Sequence, residues 1–343
     1  MNVAILILSW NAPQAALSCV HHVTQQRRAP DHVLVVDNGS EDDTIERVAR
    51  HFSDIEIIRN SRNLGFGSGM NVGIRALQAK SSPPDIVVLL NQDTEVDPDW
   101  LEAIIAPFED PKVGAVGSKI RYPNGALQHA GVTIEWPRAV VHHVGGQGQE
   151  QGDGDDDGDG NYDEQRTYDA VTGAAIALRL STLEEVGLFD PEYSPAYYED
   201  IDLCWRIRQA NYQIIYAPNA TLIHHESLSI RESHIRSSYY NRGRLRFVLK
   251  SYPFDVLLGS FFEAELQFIR RHGHKAEERA LRWAYIDTMG HLPDILRARE
   301  AFHQPLSRAD ADRLHAMLLS FKHAVAQSSY RRAHSLIGAF YPA

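Results

Sequence analysis

The sequence predicts a Rossmann-like, mostly parallel α/β sheet flanked by helices, followed by a C-terminal helical extension. Three observations predict it. Four short runs of Val, Ile and Leu alternate with helical patterns over the first hundred residues, each run stops at polar residues, and beyond about residue 230 the pattern turns to helix upon helix. Apolar runs without polar alternation suit strands covered on both faces by crossover helices. Their alternation with helical segments is the mark of a parallel sheet.

The four runs cover residues 3–8, 32–36, 55–58 and 86–90. They stop at Ser9-Trp10-Asn11, at Asp37-Asn38-Gly39-Ser40, at Asn60 with Asn63 soon after, and at Asn91-Gln92-Asp93. In a parallel sheet these stops share the carboxyl edge, where doubly wound folds bind their ligands. From about residue 112 short strands are expected over 114–116, 126–134 and 140–144. Residues 145–163 are nearly all Gly, Asp, Gln and Glu, cannot bury apolar surface, and predict a flexible loop. Order resumes at Tyr168, with an apolar run over 171–178, a helix over 201–210, and strands over 214–216 and 221–223 that end in His224-His225. The helical region breaks at Pro253, Gly273, Pro293 and Pro305. Two domains are therefore expected, residues 1–230 and 231–343.

The 343 residues are 43% hydrophobic and 23% charged, enough for a sizeable core and against global disorder. The net charge of −11 divides into −18 over residues 1–230 and +7 over 231–343. An acidic first part argues against a nucleic-acid partner. The basic helical part suits peripheral contact with an anionic membrane, a phosphorylated acceptor, or simple solvation. Homo-oligomer formation through its apolar residues is equally open. The run at 3–8 is too short for a signal peptide and no stretch is long enough to span a membrane, so a cytoplasmic protein is expected. Cys19 and Cys204 form no metal-spaced or CxxC set, which fits a reducing compartment.

Asp93, at the end of the fourth run, is the first candidate for chemistry: a hard cation such as Mg²⁺ or Mn²⁺ is held by one or two carboxylates. A turn or helix cap is the plainer reading. Asp37 stands where a carboxylate can accept hydrogen bonds from a ribose or base, and Asp-Asn-Gly-Ser is also a good turn. The glycines from Gly65 to Gly73 do not form a GxGxxG: Gly65 and Gly67 lead to Met70, and Gly67 and Gly69 lead to Val72. Glycines at a helix start permit either close approach to a nucleotide or tight helix-to-sheet packing. Glu199, Asp200 and Asp202 crowd three carboxylates into the start of a helix, and such crowding raises a carboxyl pKa toward the range of a general base. An acid-rich first turn is the alternative. His224 or His225 can complete a metal site with Asp93, whereas His142-His143 reads as structural or exposed.

Taken in order, these segments resemble the inverting family 2 glycosyltransferases of GT-A fold, particularly rhamnosyltransferase-like bacterial members. The resemblance covers about residues 1–250 and lies in SWN at 9–11, VVDNGSEDDT at 35–44, NLGFGSGMNVG at 63–73, LLNQDTEVDP at 89–98, TGAAIALR at 172–179 and FDPEYSPAYYEDIDLCWR at 189–206. It implies transfer of a sugar, rhamnose by the nearest likeness, from a nucleoside-diphosphate donor to a glycan or lipid-linked acceptor. It implies that Ser9, Trp10, Asn11, Asp37, Asn63, Gly65, Phe66, Gly67, Asn71, Asn91, Gln92, Asp93, Gly173 and Ala174 meet the donor. Asp93 and His224 would hold the metal, Asp200 would be the base, and Glu199 would support it. Asn91-Gln92-Asp93 departs from the family's DxD triad, with an amide in place of the first carboxylate.

Two further readings stand beside this. Asp153-x-Asp155-x-Asp157-Gly158, with Glu164 six residues on, matches the ligand positions of an EF-hand Ca²⁺ loop, although Asp/Gly-rich tracts produce such matches by chance. A sugar nucleotidyltransferase would use the same sheet edge, but the basic Gly-rich loop it needs after the first strand is replaced by Asn11-Ala12-Pro13-Gln14. A non-catalytic scaffold that binds a nucleotide sugar or Ca²⁺ is the reading from another class.

Overall fold

The structure, a computed structural model, describes residues 1–146, 162–226, 233–272 and 278–340. Asp153, Asp155, Asp157 and Gly273 lie outside the described residues. The chain divides into two compact units. The first holds Met1–Ile134, Val141–Pro195 and the described residues from 199 to 226; the second holds Glu135–Val140, Ala196–Tyr198 and the described residues from 233 onward.

The elements of the first part of the chain are β1 (Val3–Ser9), α1 (Pro13–Thr24), β2 (His32–Asp37), α2 (Thr44–His51), β3 (Glu56–Arg59), α3 (Phe66–Gln78), β4 (Ile86–Asn91), β5 (Thr94–Val96), α4 (Trp100–Ile105), β6 (Val113–Arg121), β7 (Leu127–His129), β8 (Val132–Glu135), β9 (Val140–His143), β10 (Arg166–Thr167), β11 (Ala175–Arg179), α5 (Leu180–Val186), α6 (Glu199–Gln209) and β12 (Gln213–His224). One sheet has the order β10-β12-β6-β11-β4-β1-β2-β3, with β5 beside β12 and β7 beside β6; β8 and β9 pair separately. β3, β2, β1 and β4 run parallel, and β11 is antiparallel to both β4 and β6. All four apolar runs are strands of this sheet.

β1 shows why its sequence lacks alternation. Val3, Ile5 and Ile7 join Ala16, Cys19, Val20 and Val23 of α1 in a buried core on one face. On the other face α3 lies so close that a Cβ on Gly73 would stand 2.4 Å from Leu6 Cδ1. Gly69 and Gly73 of α3 thus serve helix-to-sheet packing, whereas Gly67 faces Phe189.

Three strand expectations are corrected. The run at 126–134 is two strands, β7 and β8, because Gly131 between them takes φ 126°, a conformation that ends the ladder. The run at 171–178 becomes a strand only at Ala175, since Gly173 and Ala174 turn toward the site. The segments at 214–216 and 221–223 are one strand, β12, whose register against β6 shifts between Ala217 and Thr221.

The second unit contains α7 (Ser233–Ser251), α8 (Phe254–Val256), α9 (Phe262–His272), α10 (Glu278–Gly290), α11 (Leu292–Arg299) and α12 (Arg308–Phe340). Pro253 separates α7 from α8, and Pro305 lies between α11 and α12. Pro293 sits in the first turn of α11, where no backbone N–H is needed. At the centre of this unit Glu265 is fully buried and meets Arg244 at 2.5 Å, Arg138 at 2.9 Å and the Tyr285 hydroxyl at 2.5 Å. Among the described residues no helix is long and apolar enough to cross a membrane.

Candidate active site

The site is built from the carboxyl ends of β1, β2 and β4. Gln92 clamps the first of these to the last: its Oε1 accepts from Ser9 Oγ (2.8 Å) and Trp10 N (3.0 Å), and its Nε2 donates to Trp10 O (2.8 Å). Asn11, at φ 45°, accepts from Glu41 N at 2.8 Å and holds the loop after β2. Asp37 is buried, and its Oδ1 accepts from Ser40 N at 2.9 Å, so the predicted turn exists with the carboxylate inside it. Asn38 links this turn to the next loop by donating to Asn63 Oδ1 (2.9 Å) and accepting from Leu64 N (3.1 Å). Asn63 Oδ1 also accepts from Gly65 N at 2.8 Å, which fixes the entry to α3. Asn71 spends both ends of its amide on the Phe189 backbone, at 2.8 and 3.0 Å. It shapes the α3 side of the site through Phe189.

Asp93 is buried two residues beyond the end of β4, and β5 and β12 bring His224 to it. His224 Nε2 stands 3.3 Å from Asp93 Oδ1, while His225 turns instead to Glu95, with Nε2 3.3 Å from Oε1. Of the two adjacent histidines, His224 is the one that meets Asp93. Ser18 Oγ donates to Glu95 at 2.8 Å and, with His225, holds that carboxyl below its usual range. Among the described residues no three His, Cys, Asp or Glu side chains converge as a closed metal cage. An imidazole nitrogen and a carboxylate oxygen aimed at each other fit an open site, whose cation takes its other ligands from water and substrate oxygens.

The acidic trio at the start of α6 separates into three fates. Asp202 is fully buried in an ion pair with Arg206 (2.9 Å) and accepts from Tyr193 OH (3.1 Å), while Arg206 donates to the carbonyls of Val186, Gly187 and Leu188. It is structural. Glu199 is buried, its Cβ placed near Gly67 at the start of α3. Asp200 alone turns to the strand ends: Oδ2 accepts from Gly173 N at 2.9 Å and Oδ1 from Ile201 N at 2.8 Å. Burial raises the Asp200 carboxyl above its usual range, against these hydrogen bonds and the nearby His143, which lower it.

Gly173 ties Asp200 to the start of β11. The residue after it, Ala174, accepts at its carbonyl from Asn91 N at 2.9 Å, so the start of β11 is joined to the end of β4, two residues before Asp93. The Phe66 ring closes over Gly173, where a Cβ would lie 2.9 Å from Cζ.

Gln128 and His129 escaped the reading of the sequence, and His143 and Thr172 were given no part in the site by it. Gln128 Oε1 lies 2.9 Å from His224 Nδ1. His129 is 1% exposed, with Nδ1 3.0 Å from His143 Nδ1 and Nε2 accepting from Thr172 N at 3.5 Å. Burial, with His143 and His224 nearby, keeps its ring well below the ordinary imidazole pKa, so it is neutral. His143, expected to be structural or exposed, is exposed and interacts electrostatically with Asp200. The one clue was a Gln-His pair inside what reads as an apolar strand. Of the candidate Ca²⁺ ligands only Glu164 is described; it is exposed, with Oε2 3.9 Å from Arg166.

Residues 4–156 match the profile of the family described as Glycosyl transferase family 2. An uncharacterized protein, y4gI, of Sinorhizobium fredii is 34% identical over 203 residues, which are 57% of this chain and 21% of that one. The N-acetylglucosaminyl-diphospho-decaprenol L-rhamnosyltransferase of Mycobacterium tuberculosis is 27% identical over 221 residues, 58% of this chain and 68% of that one. The chain spans about a fifth of the length of the first of these relatives. Among solved structures, GalNAc-T7 with UDP, GalNAc and Mn²⁺ superposes with a TM-score of 0.58 at 15% identity, over 86% of this chain and 57% of that one.

Proposed function

The chain carries a glycosyl transferase family 2 domain of GT-A fold, rhamnosyltransferase-like in its relatives, and from that premise we propose that it transfers a sugar from a nucleoside diphosphate to an acceptor hydroxyl with inversion. One observation carries the reading. Asp200, with a raised carboxyl pKa, is hydrogen-bonded to Gly173, and the adjoining Ala174 is hydrogen-bonded to the strand end that precedes Asp93 and its partner His224.

In this reading the donor lies along the ends of β1, β2 and β4, where Asp37 and the loop from Asn63 to Gly67 meet the nucleoside. Asp93 and His224 would hold a divalent cation, Mg²⁺ or Mn²⁺, which supplies positive charge to the departing diphosphate. Asp200 accepts the acceptor hydroxyl's proton as that oxygen bonds to the anomeric carbon. The bond from that carbon to the phosphate oxygen breaks with its electron pair on the diphosphate. A single attack from the opposite face inverts the centre. A carboxylate whose pKa is raised by burial is a stronger base than an exposed one. Gly173 holds Asp200 in place, and the buried Asp202–Arg206 pair fixes the helix that carries it.

The relative that transfers rhamnose to an N-acetylglucosaminyl-diphospho-lipid makes dTDP-rhamnose the first donor to try and a lipid-linked saccharide the first acceptor. A lipid-linked acceptor also agrees with peripheral contact between the basic C-terminal helices and an anionic membrane on its cytoplasmic face. The test is a thermal-shift screen of nucleotide sugars with Mn²⁺, because a true donor stabilises the fold by mass action. A donor at 100 times its Kd contributes about 2.7 kcal/mol. Loss of that shift in EDTA is expected; a panel with no stabilising nucleotide sugar contradicts the proposal.

A further inference from the structure

His224 presents one nitrogen to Asp93 and the other to Gln128, and the second contact dictates the chemistry of the first. Gln128 Oε1 is an amide oxygen and can only accept, so His224 Nδ1, 2.9 Å away, carries the ring hydrogen. In the neutral ring Nε2 is then a bare lone pair, directed at Asp93 Oδ1 over 3.3 Å. Two electron-rich atoms facing each other at that distance repel unless a positive charge lies with them. A ligating histidine commonly gives its other N–H to an oxygen acceptor in this way.

From this geometry we propose that Gln128 is a positioning residue for the divalent cation. It fixes the tautomer and ring plane of His224, so that Nε2 and Asp93 Oδ1 address the same ion. The inference rests on the functional reading above only in that the same cation serves the donor.

The backbone of β7 is suited to the task. Leu127 pairs with Arg121 and His129 with Ile120 of β6, and the register shifts between these two pairs, so Gln128 is the extra residue of a bulge whose two neighbours are both paired; bulges of this kind re-aim a side chain. His129 is in addition pinned through its side chain by Thr172 N and His143. His224 itself lies on β12, which also pairs with β6, Ile223 opposite Arg121. Both ends of the Gln128–His224 bond are therefore carried by strands that pair with the same two residues of β6, Ile120 and Arg121.

Mn²⁺ alone is the probe, with affinity read from the loss of the free-ion EPR signal on titrating the full chain. Gln128→Leu removes the acceptor and leaves the tautomer unset; its Kd for Mn²⁺ should rise 10- to 100-fold with an unchanged Tm. Gln128→Glu keeps an oxygen acceptor and should bind at least as well as the wild type. His224→Ala should weaken binding by itself, and adding Gln128→Leu to it should change nothing more. A merely structural Gln128 would weaken binding equally with or without the imidazole, and that result overturns the proposal. So does wild-type affinity in Gln128→Leu, or no Mn²⁺ binding by the wild type. Were the wild type to bind Mn²⁺ with this dependence on Gln128 yet consume no nucleotide sugar, the functional reading would fall and this inference would stand.

Discussion

Gly173 donates its backbone N–H to Asp200 Oδ2 at 2.9 Å, across 27 residues of sequence, and so hangs a helix-borne carboxylate on the start of a sheet strand. The next residue, Ala174, is bonded to Asn91, which stands two positions before Asp93. The start of β11, bonded to Asp200, and the end of β4, which precedes Asp93, are thereby joined.

Asp200→Asn should keep this hydrogen bond and the fold while removing the base, lowering kcat by roughly 10²–10⁴-fold. Donor binding, read by thermal shift, should be little changed. In the wild type, burial raises the Asp200 carboxyl, and only its ionised form accepts a proton. The rate should therefore fall as pH drops through a value above the ordinary Asp pKa of about 3.9. An acid limb at or below that value removes the role of burial.

Gly65→Ala tests the loop that leads into α3. Gly65 has φ 81°, and an added Cβ would lie 2.6 Å from Ser194 Oγ and 3.1 Å from Pro195 O. With ψ 173° this is an essentially glycine-only region, where a side chain costs about 1–3 kcal/mol before any collision. Chemical denaturation should show a loss of at least that size, and nucleotide-sugar affinity should fall with it. An unaltered midpoint would mean the loop relaxes freely.

Glu265 governs the acid stability of the helical unit. Burial alone would raise its carboxyl, but Arg244, Arg138 and Tyr285 outweigh that and hold it at about 2. A depressed folded pKa stabilises the native state above the unfolded pKa, and the stabilisation is lost as pH falls from roughly 4.5 to about 2. Glu265→Gln leaves the buried Arg244 charge without its counter-ion and should cost roughly 3–5 kcal/mol at pH 7. Its denaturation midpoint should also lose most of the wild type's dependence on pH below 4.5. Equal stability of the two proteins at pH 7 contradicts this account.

The parallel half of the sheet was legible because β1, β2 and β4 are apolar on both faces and stop at polar residues, a pattern that follows from their burial alone. Asp93, Asp200 and the choice of His224 or His225 were legible as types of residue in a motif. Which member of each set turns inward depends on pairings that the local pattern does not encode. Asp202 looks like Asp200 in sequence, but an arginine one turn on claims it. His225 looks like His224, but Glu95 claims it. Gln128 and His129 were hidden for another reason: their strand breaks at Gly131, and a run of strand-like residues gives no sign of where a glycine will take a positive φ. Asn71 and Gln92 carry amides suited to a ligand, yet both are engaged by backbone groups over 80 residues or more away.

The claim that Asp93 and Asp200 serve one bound nucleotide sugar is tested most directly by measuring donor consumption in the presence of Mn²⁺. The panel is a set of nucleotide sugars that includes dTDP-rhamnose, compared across the wild type, Asp93→Ala and Asp200→Asn. The account predicts turnover of one donor by the wild type, lost in both variants, with binding of that donor weakened by Asp93→Ala and retained by Asp200→Asn. Turnover at the wild-type rate in either variant would contradict it.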